Sequence, residues 1–182
     1  MNIVNFLLDF AFDFLVSVLI LRFWLQIVRA DYYNPLSQFV IKVSNPFVIP
    51  LRRVIPGLGG IDLATLIVLY IVAFGKWATL TLVNGNEFLP IQTAMVGLLY
   101  AVKQAGVLLF ILMIVMAIMS WVVQGFHPMH ALLNQLTEPF LRPIRKIVPV
   151  IGGLDLSVLV AFLLLNVVNM FIGNLLPIWR II

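Results

Sequence analysis

Four apolar runs constrain what this chain can fold into more than anything else in it. They lie at about residues 6–28, 61–83, 105–123 and 156–179. A helix needs roughly 20 apolar residues to cross the hydrocarbon layer of a bilayer, and each run is of that order. Backbone groups in lipid have no water to bond, so such runs are expected as α-helices that satisfy themselves. Barrel strands would alternate polar and apolar residues over about ten positions, and these runs do not. Composition agrees. Of 182 residues, 63% are hydrophobic and 10% charged, against about 45–50% and 25% in soluble domains. A chain this short cannot hide such an excess in its own interior, and it is far too apolar for disorder. The expected class is an all-α, multi-pass membrane protein. The N-terminus lacks a basic region and carries Asp9 and Asp13, so a cleaved signal peptide is not expected.

Basic residues are distributed unevenly between the connections. Arg29, Lys42, Arg52 and Arg53 flank or fill the first long connection, and Arg142, Arg145 and Lys146 the second. The short connection at 84–90 has Glu87 and no cation. The positive-inside rule then places both long connections in the cytoplasm and both termini outside. Lys76, Lys103 and Arg180 fall on the outer side in this scheme, where their stems would snorkel to the interface.

The two long connections are copies of one another. Residues 34–66 align with 127–159 without a gap, at a spacing of 93. Pro35 meets Pro128, Pro46-Phe47 meets Pro139-Phe140, Pro50 meets Pro143 and Pro56 meets Pro149. Arg52-Arg53 meets Arg145-Lys146, Gly59-Gly60 meets Gly152-Gly153, and Asp62-Leu63 meets Asp155-Leu156. Each repeat is therefore span, connection, span, with one repeat at 1–90 and the other at 91–182. Two crossings per repeat make the copies parallel about an axis along the membrane normal.

Inside each connection the signals are local. Asn34-Pro35 and Asn45-Pro46 read as helix starts, with Asn as the cap and Pro in the first turn. Leu36, Phe39, Val40 and Val43, and in the second copy Met129, Leu132, Leu133 and Leu136, fall on one helical face. Pro50 is expected to kink the chain or restart the helix. The segment is too apolar for open water and too short to span, so it should lie in the interface or dip shallowly. Gly59-Gly60 reads as a turn with free φ. Asp62 reads as a cap on the second span, as the partner of Arg52, or as part of a cation route, with Asp155 and Arg145 equivalent.

The Asn45–Leu63 motif, NPFVIPLRRVIPGLGGIDL, and its copy EPFLRPIRKIVPVIGGLDL at Glu138–Leu156 resemble the YggT family of small bacterial membrane proteins, which has plastid relatives. The two-copy, four-span layout resembles the proteobacterial form over nearly the whole chain. The resemblance implies a bacterial plasma-membrane location. It also implies association with osmotic or salt tolerance and potassium uptake. For plastid relatives it implies haem attachment during cytochrome b assembly. Arg53 and Asn45 are replaced by Lys146 and Glu138 in the second copy.

Candidate functional residues follow. Arg52, Arg53, Arg142, Arg145 and Lys146 could grip anionic lipid headgroups, bind a membrane-protein partner, or merely set orientation. Arg22 lies deep in the first span, and Gln26 and Arg29 share its face. Intramembrane cations usually face the bundle or a wet cavity, so Arg22 is expected either to meet the Asn166/Asn169 stripe of the fourth span or to snorkel to the interface. Asp9 and Asp13 form an i, i+4 pair, read as wet interfacial charges or as partners of Lys103. His127 and His130, without cysteine, make a poor metal site. No nucleophile elbow, zincin or P-loop motif occurs. A non-enzymatic protein without cofactor is expected. It would organise or assemble membrane components with lipid, and with a partner or a second copy. No nucleic-acid role is expected. The alternative is a small channel or transporter, for K⁺.

Overall fold

The computed structural model describes residues 2–55, 57, 59–122, 125, 127–148 and 156–182. These form six α-helices in chain order: α1 (Ile3–Ile27), α2 (Pro35–Arg52), α3 (Leu63–Val83), α4 (Pro90–Val122), α5 (Pro128–Arg145) and α6 (Leu156–Leu175). A 3₁₀ turn at Pro177–Arg180 follows. α1, α3, α4 and α6 are long and apolar enough to cross a membrane. Large side chains such as Phe6, Phe10, Ile71, Leu98, Leu163 and Phe171 stand exposed along them, as lipid-facing surfaces require. The chain is an all-α membrane protein. The repeat is visible in the helices: α2 and α5 each have 18 residues and start at Pro35 and Pro128, and α3 and α6 start at Leu63 and Leu156.

The path has two sides. α1 runs from the terminal side to the elbow side, α2 packs there against α1 and α3, and α3 returns. Asn5 Nδ2 donates to Asn84 Oδ1 at 2.8 Å, tying the start of α1 to the end of α3. α4, α5 and α6 repeat the path. α4 is longer than the uncharged run at 105–123. It starts at Pro90, after a turn in which Gly85 has φ +68°, and carries Lys103 and Gln104 inside the helix. Its 33 residues measure about 50 Å, more than a bilayer core, so α4 tilts or projects beyond it.

The elbow helices differ from expectation in one respect. No helix starts at Pro46 and none restarts at Pro50; α2 runs through both, and α5 runs through Pro139 and Pro143. Each proline removes one backbone donor. In both helices the pair is spaced i, i+4 and lies on the exposed face, while the opposite face is held by packing. That buried stripe is Ser37, Val40, Ser44 and Val48 in α2, and Leu132, Leu133, Leu136, Thr137 and Leu141 in α5. The α2 stripe is rotated from the apolar face expected. Phe39 is exposed and two serines face inward, whereas the α5 stripe keeps Leu132, Leu133 and Leu136. The start of α2 is as expected: Asn34 Oδ1 accepts from Leu36 N–H at 3.0 Å. His127 Nδ1 does the same for Met129 N–H at 3.2 Å, so that histidine is a helix cap.

α3 and α4 pack backbone against backbone at Gly97. A Cβ there would lie 3.0 Å from the backbone N and Cα of Phe74. Small residues let spans pack backbone to backbone. Gly97→Ala is therefore expected to push the helices apart and cost about 1–2 kcal/mol, the lower part of the range for overpacking, read as a shift in denaturant unfolding in detergent. Gly106→Ala, where the added carbon meets nothing within 4 Å, is the control and should leave the midpoint unchanged.

Candidate functional site

The elbow side is built by polar side chains of α1. Arg22 Nη1 donates to Ser44 Oγ at 2.7 Å and to Asn45 Oδ1 at 2.9 Å. Ser44 is fully buried and donates in turn to Val40 O. One turn on, Gln26 Nε2 donates to Gly60 O at 2.8 Å. Gly59 and Gly60 have φ of +61° and +85°, which a side-chain-free residue adopts without strain. Arg22 and Gln26 thus clamp the beginning and the end of the NPFVIPLRR…GG motif onto α1. The expectation that Arg22 meets Asn166 and Asn169 is overturned. Arg22 is near the elbow end of α1, whereas Asn169 is toward the terminal end of α6, where its Oδ1 accepts from Trp179 Nε1 at 2.8 Å. Asn166 donates to its own helix, to Phe162 O at 2.9 Å.

Asp62 serves as cap and as partner of Arg52. Its Oδ1 accepts from Thr65 N–H at 3.3 Å and its Oδ2 from Thr65 Oγ1 at 3.0 Å, capping α3. Arg52 Nη2 lies 3.6 Å from Oδ2. Asp62 is 4% exposed, so a cation and a cap together stabilise the buried charge. In the second repeat Arg145 Nη1 bonds Glu138 Oε2 at 2.6 Å. Pro56, Pro149, Gly152, Gly153 and Asp155 lie outside the described residues. Arg53, Arg142 and Lys146 stand exposed at the C-terminal ends of α2 and α5, where the helix dipole favours cations.

The two elbows join. Asn34 Nδ2 donates to Pro128 O at 3.1 Å. Gln135 Nε2 donates to Val28 O at 2.9 Å and to Arg29 O at 3.2 Å. Those carbonyls end α1, where Arg29 adopts φ +51°, a left-handed conformation costly for a residue with a Cβ. The second repeat thus holds the terminus of the first. Leu21, Leu25, Val40, Met113, Leu136 and Leu141 share the core beneath. The joined elbows form a platform that carries exposed Phe39, Phe47, Ile49 and Phe140 and the exposed cations Arg53, Arg142 and Lys146.

Asp9 and Asp13, read along the chain as wet charges or as partners of Lys103, belong to a second polar cluster toward the terminal side. Lys76 of α3 is 6% exposed. Its Nζ is 2.5 Å from Asp13 Oδ1 and 3.1 Å from Asp9 Oδ1 and 4.3 Å from the centre of the Tyr100 ring. Tyr100 donates to the same Asp13 oxygen. Gln104 Nε2 donates to Ser17 Oγ at 2.9 Å, and Ser17 to Asp13 O at 2.7 Å. Lys76 therefore does not snorkel; it locks α1, α3 and α4 together. Lys103 is not the acids' partner. Its Nζ donates to Trp179 O at 2.8 Å and to Ile182 O. The available signal was the antiparallel order of spans one and two, which puts residues early in one beside residues late in the other.

The chain matches the CCB3/YggT family model over residues 1–83 and 95–176. It is 47% identical to a Vibrio alginolyticus protein from the proC 3′ region over 182 residues, covering 98% of each chain. It is also 47% identical to YggT of Escherichia coli K12 over 176 residues, 97% of this chain and 92% of that one. A Pseudomonas aeruginosa protein is 41% identical over 162 residues, covering 86% and 81%. All three are uncharacterised proteins. No solved structure matches the chain significantly.

Proposed function

The chain belongs to the CCB3/YggT family, and on that premise we propose that it is a non-enzymatic organiser of the bacterial inner membrane. In this reading the joined elbows rest on the cytoplasmic leaflet, the termini face outward, and the platform holds anionic lipid headgroups and a membrane-protein partner or second copy. One observation carries the reading. The two repeated connections, 93 residues apart in sequence, are bonded where they begin, Asn34 to Pro128 and Gln135 to the end of α1, and both carry exposed cations and exposed phenylalanines. Such a surface suits the boundary between headgroups and acyl chains.

The test uses Arg53→Gln, Arg142→Gln and Lys146→Gln together, which leave the Arg52–Asp62 and Arg145–Glu138 contacts in place. Enrichment of phosphatidylglycerol over phosphatidylcholine around the protein in nanodiscs should fall at least about tenfold, with helix content unchanged. Undiminished enrichment removes lipid recognition from the platform. Sidedness is tested on this Cys-free chain by Val54→Cys and Ile147→Cys, both at strongly exposed positions. An impermeant thiol reagent should label neither from outside intact cells and both in inverted vesicles.

The channel reading, with K⁺ as the transported ion, meets an obstacle at Asp9 and Asp13. These carboxylates would be the natural cation ligands, and the Lys76 ammonium already sits between them. A fixed cation there repels a passing one. Potassium flux into proteoliposomes above that of empty vesicles would reverse the preference.

A further inference from the structure

The repeat register shows what distinguishes the two halves. Ninety-three positions on from Asp13 and Lys76 stand Gly106 and Asn169. The ion pair that draws α1 against α3 therefore has no counterpart between α4 and α6. These two helices make far fewer contacts than their equivalents, and a cavity of about 360 Å³ opens at the matching place. Val107, Phe110, Leu165, Val168 and Ile172 wall it. A second cavity of about 400 Å³ adjoins it on the terminal side, sharing Lys103, Asn169 and Trp179 and adding Asn174 and Arg180. No carboxylate side chain lines either. Each is of the size that holds small ligands, about 300–1,000 Å³.

The order of surfaces along the groove is that of a lipid: an apolar trough, then a tryptophan, then two cations. Trp179 is fixed by Asn169 at 2.8 Å, and tryptophan concentrates at headgroup depth in membrane proteins. Lys103 tacks the C-terminal turn beside the mouth through Trp179 O and Ile182 O, and Arg180 donates to Asn174 Oδ1. Arg180 is exposed there. We propose that the α4–α6 groove binds one anionic phospholipid, with an acyl chain between Gly106 and Leu165 and the phosphate at Arg180. This site is separate from the elbow platform and lies on the opposite side of the bundle.

Quenching of Trp179 by brominated acyl chains tests it. The protein is reconstituted with brominated phosphatidylglycerol or brominated phosphatidylcholine, and the Trp179 share is taken as the difference from Trp179→Phe. Half-quenching is expected at an about fivefold lower mole fraction of the anionic lipid, the preference one well-placed cation supplies. Gly106→Leu should abolish this quenching by filling the trough. The glycine faces open space, so the variant should fold, as circular dichroism would verify. Arg180→Gln, at the surface, should keep the quenching and lose the headgroup preference. All elbow cations remain in these variants, so the outcome is independent of the platform reading. Equal half-quenching by both lipids overturns the proposal. So does a preference that survives Gly106→Leu, or a dimer cross-linked through the groove from which brominated lipid is excluded.

Discussion

Lys76→Met should destabilise the protein by about 1.5–3 kcal/mol, the contribution of a hydrogen bond between charged groups, because its two acids are 33% and 42% exposed and are not left buried. The lysine is almost wholly enclosed, with Asp13 at 2.5 Å and Asp9 at 3.1 Å. Its removal leaves two carboxylates on one face of α1, one turn apart, in a segment that crosses lipid. Half-exposed, they are incompletely solvated, and they repel each other. Tyr100 continues to donate to Asp13, but one neutral donor does not offset two charges. Methionine keeps the length and apolar stem of lysine, so packing loss contributes little. The measurement is the unfolding free energy in bicelles. Adding Asp9→Asn and Asp13→Asn to Lys76→Met should recover most of the loss, because the uncompensated charge is then gone. A Lys76→Met protein within roughly 0.5 kcal/mol of the original would mean that the cluster is solvated and holds nothing together.

The second large effect concerns the clamp on the elbow. Arg22→Leu removes both bonds to α2, and Asn45 Oδ1 loses its donor. Hydrogen bonds from a charged donor contribute about 1.5–3 kcal/mol each. Some of this is returned because leucine enters the membrane more readily than arginine, so a net weakening of about 2 kcal/mol is expected at the α1–α2 contact. That corresponds to roughly thirtyfold more frequent local opening. Val48, fully buried on the inner face of α2, reports on it. In the Cys-free background, Val48→Cys should react about thirtyfold faster with a permeant maleimide when Arg22→Leu is present. Phe162→Cys in α6 should be unaffected. Unchanged labelling of Val48→Cys would show that Arg22 does not anchor the elbow.

Much of this molecule is legible along the chain because its signals are local. Asn34-Pro35 starts a helix with its own side chain, and Asp62 caps α3 within four residues. The spacing of 93 follows from matching prolines and glycines alone. The prolines of α2 misled for the same reason. Pro50 breaks an isolated helix, but α2 is not isolated. Its inner stripe is fixed by the core and by Arg22, and its prolines sit on the outer face. Lys76 misled in the opposite direction: a lone cation in an apolar run reads as snorkelling until its two acids, more than sixty positions earlier, are brought beside it.

Local signals along the chain are enough for four membrane spans, their duplication and the Asp62 cap of α3, since lipid forces each apolar run to close its hydrogen bonds within itself. Tertiary structure alone decided which charges meet. It placed Arg22 on the elbow, Lys76 between two aspartates and Gln135 on the end of α1. It also closed the first repeat and left the second open. In the low dielectric of a bilayer a charge is tolerated only beside its partner, and which side chain becomes that partner depends on how the helices pack.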